Sequence, residues 1–364
     1  MRKKNRKSFK NSLYKKRLFF YWLGLFLVTL LTGLLVIFQN LSLKKYSQLF
    51  ENTKWSFLER AKYPRRLDGV FLFSKKLTNL WPVAVMIDNQ TEARPPVGLS
   101  KASLVIESLT EGRITRFLAI FDSGEKVEKI GPVRSARPYF LEWAEEFKAL
   151  FIHSGGSPMA LKGLSQRKYD VYDVNEFYWG KYFWRDNKRK RPHNLFITSS
   201  FWPKIFQIKK IDNKIPSYRP WKFKRDISYN LRKERKQIIK INYQSPDYFV
   251  EWHYQPLKNN YLRYQAGKEH LDENGQTLTA KNLVVQYVKM RLIDEIGRRE
   301  IITQGTGRAD IFLDGKRIEG KWEKRGKLKR TLFFNEKGEE IRFNRGTTWI
   351  EIVPFNSSIV SYQE

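Results

Sequence analysis

Two arginines separated by two small residues, Arg134 and Arg137, stand just before Pro138 in the run from Ile130 to Phe140, IGPVRSARPYF. Pro138 suits the first turn of a helix, because its fixed φ and missing N–H cost nothing there. The spacing predicts a helix over Pro138 to Lys148. Both guanidinium groups would then lie beside its unpaired N–H groups and positive dipole end, a seat able to grip phosphate or carboxylate in a bidentate manner. Other polar residues precede it. Asp88 and Asn89 end an apolar run, where sites in α/β sheets commonly form, and Arg94 lies in the loop that follows. Glu107 and Glu111 share strand parity and are expected on one face. Arg116 shares its face with Ile114, Leu118 and Ile120, where an unpaired cation is expensive. One of the two glutamates is its expected partner, so two roles stay open for the arginines: ligand contacts, or ion pairs that fix the sheet.

Downstream, His153 to Ser157 (HSGGS) ends an apolar run in a Gly-rich turn and gathers backbone N–H groups, two hydroxyls and an imidazole. The motif reads as an oxyanion or phosphate cradle, or simply as a tight turn. Arg191 to Asn194 (RPHN) adds His193 and Asn194 beside a basic loop. A Ser–His hydrolase built from Ser135 or Ser157 with His153 or His193 can be drawn, yet no nucleophile-elbow signature supports it. The chain lacks a Walker loop, a G-x-G-x-x-G turn and an H-E-x-x-H helix, so none of those chemistries is expected. With no cysteine and four scattered histidines, a thiol nucleophile is impossible and no metal or other cofactor is expected. Whether the protein is an enzyme is left open.

The elements that must position these residues fall into two groups. Pro82 to Asn89, Leu104 to Leu109, Ile114 to Phe121 and Ala149 to His153 read as strands apolar on both faces. The predicted helices Pro138 to Lys148 and Pro158 to Leu164 lie among them, which is an α/β pattern with a central sheet. Beyond Lys236 the character changes to short β-type runs: Gln237 to Tyr243, Tyr248 to Tyr254, Leu283 to Ile293, Arg308 to Leu313, Leu328 to Phe334 and Thr347 to Val353. Asn274-Gly275 and Asp314-Gly315 are hairpin-type turn pairs within this smaller β-rich region. Trp252, Trp322 and Trp349 fit either its core or a sugar-facing surface.

The amino terminus predicts location. Residues 1–17 carry nine cations and no acid, and Leu18 to Phe38 follows as 21 residues without charge. At 1.5 Å per residue this spans roughly 30 Å, the thickness of a bilayer core. The expectation is a cytoplasmic basic tail (1–17), a single transmembrane helix (18–38) and an extracytoplasmic remainder. That remainder divides into a stalk (39–80), an α/β domain (81–208), a basic connector (209–236) and a β-rich domain (237–364). The fold class is therefore α+β overall. Without cysteine, a lipid-modified amino terminus and disulfides are excluded. Subtracting the nine cytoplasmic cations from the formal net charge of +32 leaves +23 on the exported part. A basic protein outside the membrane meets wall polymers, headgroups and lipid-linked phosphates rather than nucleic acid. The expected partners are the membrane and an anionic wall polymer, peptidoglycan fragment or envelope protein, and nucleic acid is not among them.

Taken in order, Pro82 to Asn89, Arg94-Pro95, Gly98 to Ala102, Glu107, Glu111-Gly112, Ile130 to Phe140, His153 to Pro158 and Pro192 to Phe196 resemble the YerB-type lipoprotein family. The likeness continues through Tyr261 to Arg263, Gly305 to Ala309, Glu319 to Trp322 and Gly346 to Pro354. The resemblance implies a two-domain extracytoplasmic protein of the bacterial envelope, with domains of unknown function and no catalytic residues to carry over. Many members begin with a lipobox cysteine, which this chain lacks. Two functions follow: a non-catalytic module binding an anionic wall component or wall-synthesis partner, or a transferase or hydrolase acting on lipid-linked or wall phosphates through an arginine clamp.

Overall fold

The computed structural model describes residues 62–211 and 217–356, together with the backbone of a last strand at Val360–Gln363. The predicted transmembrane segment 18–38, the basic tail and the first part of the stalk lie outside the described residues. Among the described residues no helix is long and apolar enough to cross a membrane.

Uninterrupted apolar runs become strands covered on both faces. In the amino-terminal region these are β1 (Pro82–Asp88), β2 (Leu104–Leu109) and β3 (Thr115–Asp122), buried at every position. They are followed by α1 (Pro138–Ala144), β4 (Leu150–His153), α2 (Pro158–Ser165), β5 (Tyr172–Asn175) and α3 (Trp202–Ile208). The carboxy-terminal region adds β6 (Ile238–Asn242), β7 (Phe249–Gln255), β8 (Asn260–Gln265), β9 (Asn282–Val288), β10 (Gly305–Leu313), β11 (Lys316–Lys324), β12 (Leu332–Asn335) and β13 (Thr348–Pro354). The protein is mixed α+β, rich in strands and poor in helix. The run predicted as one strand from Leu283 to Ile293 is two, because the chain leaves the sheet after Val288 and forms a short hairpin of Met290–Leu292 with Arg299–Ile301. Asp314 and Gly315 both have positive φ and close the two-residue hairpin between β10 and β11, as their types demand.

Both regions contribute to one ten-stranded sheet, in the order β12-β11-β10-β9-β13-β2-β3-β1-β4-β5. The junction is β13, which runs parallel to β9 on one side and to β2 on the other. A second sheet of six short strands contains β6, β7 and β8 and buries alternate residues, as one-sided strands must. Its inner row, Ile239, Ile241, Val250, Trp252 and Tyr261, packs with α3 on the sheet face carrying Val85, Val105, Phe117, Ala119 and Trp349. The opposite face, with Met86, Ile106, Leu118 and Ile120, lies under α1 through Phe140, Leu141 and Trp143. Trp252, Trp322 and Trp349 are all core residues. The body begins at Tyr63, earlier than the expected end of the stalk. Buried Leu67 and Asp68 hold that segment, with Asp68 bonded to Arg65 and Ser103.

Candidate anion site at the ends of the central strands

Within the segment Ile130–Arg137, Pro132–Arg134 is stitched to the end of β1, while Ile130 and Gly131 pair with Ile197 and Val97. The Arg134 N–H donates to the Met86 carbonyl and the Asp88 N–H to the Pro132 carbonyl. It then crosses to the turn after β4, where Ser154 N–H donates to Arg134 O and Ala136 N–H to Gly155 O. Arg134 and Arg137 are thereby fixed beside Asp88, at the carboxyl end of β1. Arg116 is the cross-strand partner of Asp88 in the β3 register, so it belongs to the same place and the same face.

Three guanidinium groups meet two acids here. Arg137 forks onto Glu111, Nε at 2.7 Å from Oε1 and Nη2 at 2.6 Å from Oε2. Burial opposes ionisation of Glu111, and the Arg137 fork overrides it and holds that carboxyl below its usual range. Arg134 Nε lies 2.9 Å from Asp88 Oδ2, although its N–H is not aimed at that oxygen. His193 Nδ1 is 2.7 Å from the same Oδ2, and the Gln90 N–H donates to Asp88 Oδ1. Arg116 is the exception. It is 5% exposed, its Nη1 donates to the Ser135 carbonyl at 2.8 Å, its Nε has no partner, and among the described residues it forms no ion pair. Burial first, and then the neighbouring Arg137, push its guanidinium down to about 10, with Arg134 acting in the same direction.

Arg116 therefore does not pair with Glu107 or Glu111. Glu107 is opposite Phe117 in the β2–β3 register and faces the second sheet, whereas Glu111 leaves strand parity in a turn at Gly112 and reaches Arg137. The expected seat at the helix start is altered in the same way: α1 is seven residues long and Arg137, its N-cap, is already engaged. His153 is wholly buried, with Nδ1 2.6 Å from Gly155 O and Nε2 2.7 Å from Asp173 Oδ1, so neither ring nitrogen is available to a ligand. Ser157 caps α2 by accepting from Ala160 N. Asn194 Oδ1 accepts from Arg185.

Asn89, Arg94 and Glu107 belong to a different network on the other face. Glu107 and Glu351 are cross-strand neighbours, an arrangement that needs a cation between them. Arg263 of β8 supplies it, with Nη2 2.7 Å from Glu107 and Nη1 3.1 Å from Glu351, and all three side chains are fully buried. The rings of Phe117, Trp252 and Trp349 surround the guanidinium at 5.7, 5.3 and 4.9 Å. Tyr243, Trp252 and Arg263 all donate to Glu351. Burial pushes Glu107 up to about 8 against the pull of Arg263, and the Glu351 charge adds to the rise. Asn89 donates to Glu107 and Thr115, and Arg94 bridges the carbonyls of Asn89 and Asp247. Arg263 and Glu351 escaped the sequence reading. The available signal was the inward row Tyr261, Arg263 and Gln265 along β8.

Fold and site together define a two-module α+β protein with a cation-rich cluster at the strand ends of its first module. Residues 69–215 match the N-terminal domain, and residues 239–350 the C-terminal domain, of a protein family of unknown function, DUF3048. The chain belongs to this YerB-type family. It is 34% identical over 286 residues to the "Putative lipoprotein YerB" of Bacillus subtilis (strain 168), covering 77% of this chain and 83% of that protein. It also superposes on the crystal structure of the B. subtilis YerB protein with a TM-score of 0.73 at 32% identity, covering 83% of this chain and all of the solved one.

Proposed function

We propose that the protein is held at the outer face of a membrane and binds an anionic envelope component, with the Arg116–Arg134 cluster receiving its phosphate or carboxylate. The observation that carries this reading is Arg116, a buried cation with an orphaned Nε and two arginines close by. Such a charge is costly unless something compensates it. Arg137 and Glu111 form the wall of the site. The outward location rests on the basic amino-terminal flank, the apolar run 18–38 and the lipoprotein name of the relative. Isothermal titration with wall teichoic acid, muropeptides and a lipid-linked precursor at low salt tests it. Arg116→Gln is expected to lose at least tenfold in affinity for the ligand that binds. Absence of binding by all three, or equal binding by the variant, removes the proposal. A second reading, a phosphate-directed hydrolase or transferase, is favoured by the histidine held on Asp88.

A further inference from the structure

Asp88 and His193 form a pair that anion binding alone does not use. The Asp88 side chain is completely buried and its Oδ1 is fixed by the Gln90 N–H, so Oδ2 is presented in one direction. A carboxylate accepts, and the His193 nitrogen 2.7 Å away must donate. That hydrogen bond places the proton on Nδ1 and leaves the lone pair on Nε2, the tautomer of a general base. Nε2 makes no hydrogen bond among the described residues and is not enclosed, since the His193 side chain keeps 10% of its surface. The base is adjacent to the cations by construction. His193 Nδ1 and Arg134 Nε approach the same carboxylate oxygen, and Arg116 is the strand partner of the residue that owns it.

Building on the anion-binding reading above, we infer that His193 is a catalytic base, that Asp88 positions it, and that the site hydrolyses a phosphodiester held by Arg116 and Arg134. In the step, His193 Nε2 takes a proton from water as the water oxygen bonds to phosphorus. The bond from phosphorus to the leaving oxygen breaks, and its electron pair leaves with that oxygen. The proton passes from Nε2 to the leaving oxygen or to solvent, so an alcohol and a phosphomonoester result and Asp88 keeps its charge throughout. Arg116 and Arg134 face the charge that gathers on the non-bridging oxygens, where fixed donors act most strongly. A positioned base of this kind contributes about 10²- to 10⁴-fold.

The test uses the intact protein in detergent, with bis(p-nitrophenyl) phosphate as the turnover probe and inorganic phosphate as the binding probe. His193→Gln is expected to lower kcat at least 100-fold while phosphate affinity stays within about threefold. Asp88→Asn separates positioning from scaffolding. It misdirects the imidazole and lowers kcat, yet it removes a negative charge beside Arg134 and Arg116 and so tightens phosphate binding. A scaffold role would weaken both together. If His193→Gln fails to fold, as judged by circular dichroism, the Asp88→Asn split decides alone. No turnover above buffer, or wild-type kcat in a folded His193→Gln, overturns the catalytic inference. Phosphate binding by the wild type in that event leaves the anion-site proposal standing, and its absence removes both.

Discussion

The central sheet carries a charged network on each face, and the two are unbalanced in opposite directions. Between the sheets, one cation, Arg263, meets two carboxylates, Glu107 and Glu351. At the strand ends, three arginines, Arg116, Arg134 and Arg137, meet Asp88 and Glu111. The Arg263 centre of the first network is sealed by aromatic rings, with the half-buried Arg94 at its rim, and its surplus negative charge is met chiefly by a proton on Glu107. The second is reached by solvent at Arg134 and His193, whose side chains keep 20% and 10% of their surface. Its surplus positive charge can be met from outside. Imbalance in a closed space becomes a shifted ionisation, whereas imbalance in an open one becomes affinity.

Breaking the closed network should have the largest effect. Arg263→Met leaves two buried carboxylates without their cation and should lower stability by about 3–5 kcal/mol, measured by urea denaturation. The open network should behave in the contrary sense. Arg116→Met removes a buried charge that has no ion-pair partner among the described residues and gives up one hydrogen bond, to the Ser135 carbonyl, so stability in the absence of anions should change by no more than about 1 kcal/mol. The wild type should gain about 2.7 kcal/mol from a bound anion at 100 times its dissociation constant, and the variant none, read from melting with and without ligand.

Acidity sharpens the contrast. Glu107 ionises near 4.5 when unfolded and near 8 when folded, so across that window the native protein keeps a proton that the unfolded chain has lost. Stability should therefore fall as pH rises from about 5 to 8, by an amount on the order of 4 kcal/mol, and Glu107→Gln should flatten the dependence. The smallest effect is expected where both partners are wet. Arg291 and Glu300 pair at 2.6 Å with 71% and 46% of their side-chain surfaces exposed, and Arg291→Ala should change stability by less than about 1 kcal/mol.

Much of this was legible in the chain. The buried strands β1 to β4, the helices α1 and α2 and the Asp314-Gly315 hairpin follow from local pattern, because apolar continuity and turn chemistry are local properties, whereas α3 was not foreseen. Cross-strand register is not. Nothing near Glu107 announces that it lies opposite Phe117 and Glu351, so the sequence does not reveal that it faces away from Arg116. The same gap hid Arg263, whose partners lie 88 and 156 residues away. His193 was visible as a residue, yet the fixed Asp88 oxygen that gives it a direction arises only when the Ile130–Arg137 segment and the loop around His193 come together on β1.

The position of β13 has a consequence in time. It fills the slot between β9 and β2, so residues 348–354 complete a sheet whose first strands were made some 240 residues earlier. Until they arrive, β2 presents unpaired N–H and C=O groups along a flank of Leu, Val and Ile, the kind of edge that recruits other strands. Any chain interrupted before Thr348 keeps that edge open. The first module thus cannot finish folding during synthesis ahead of the second, and quality control acting on an incomplete chain would meet a sticky, unfinished sheet.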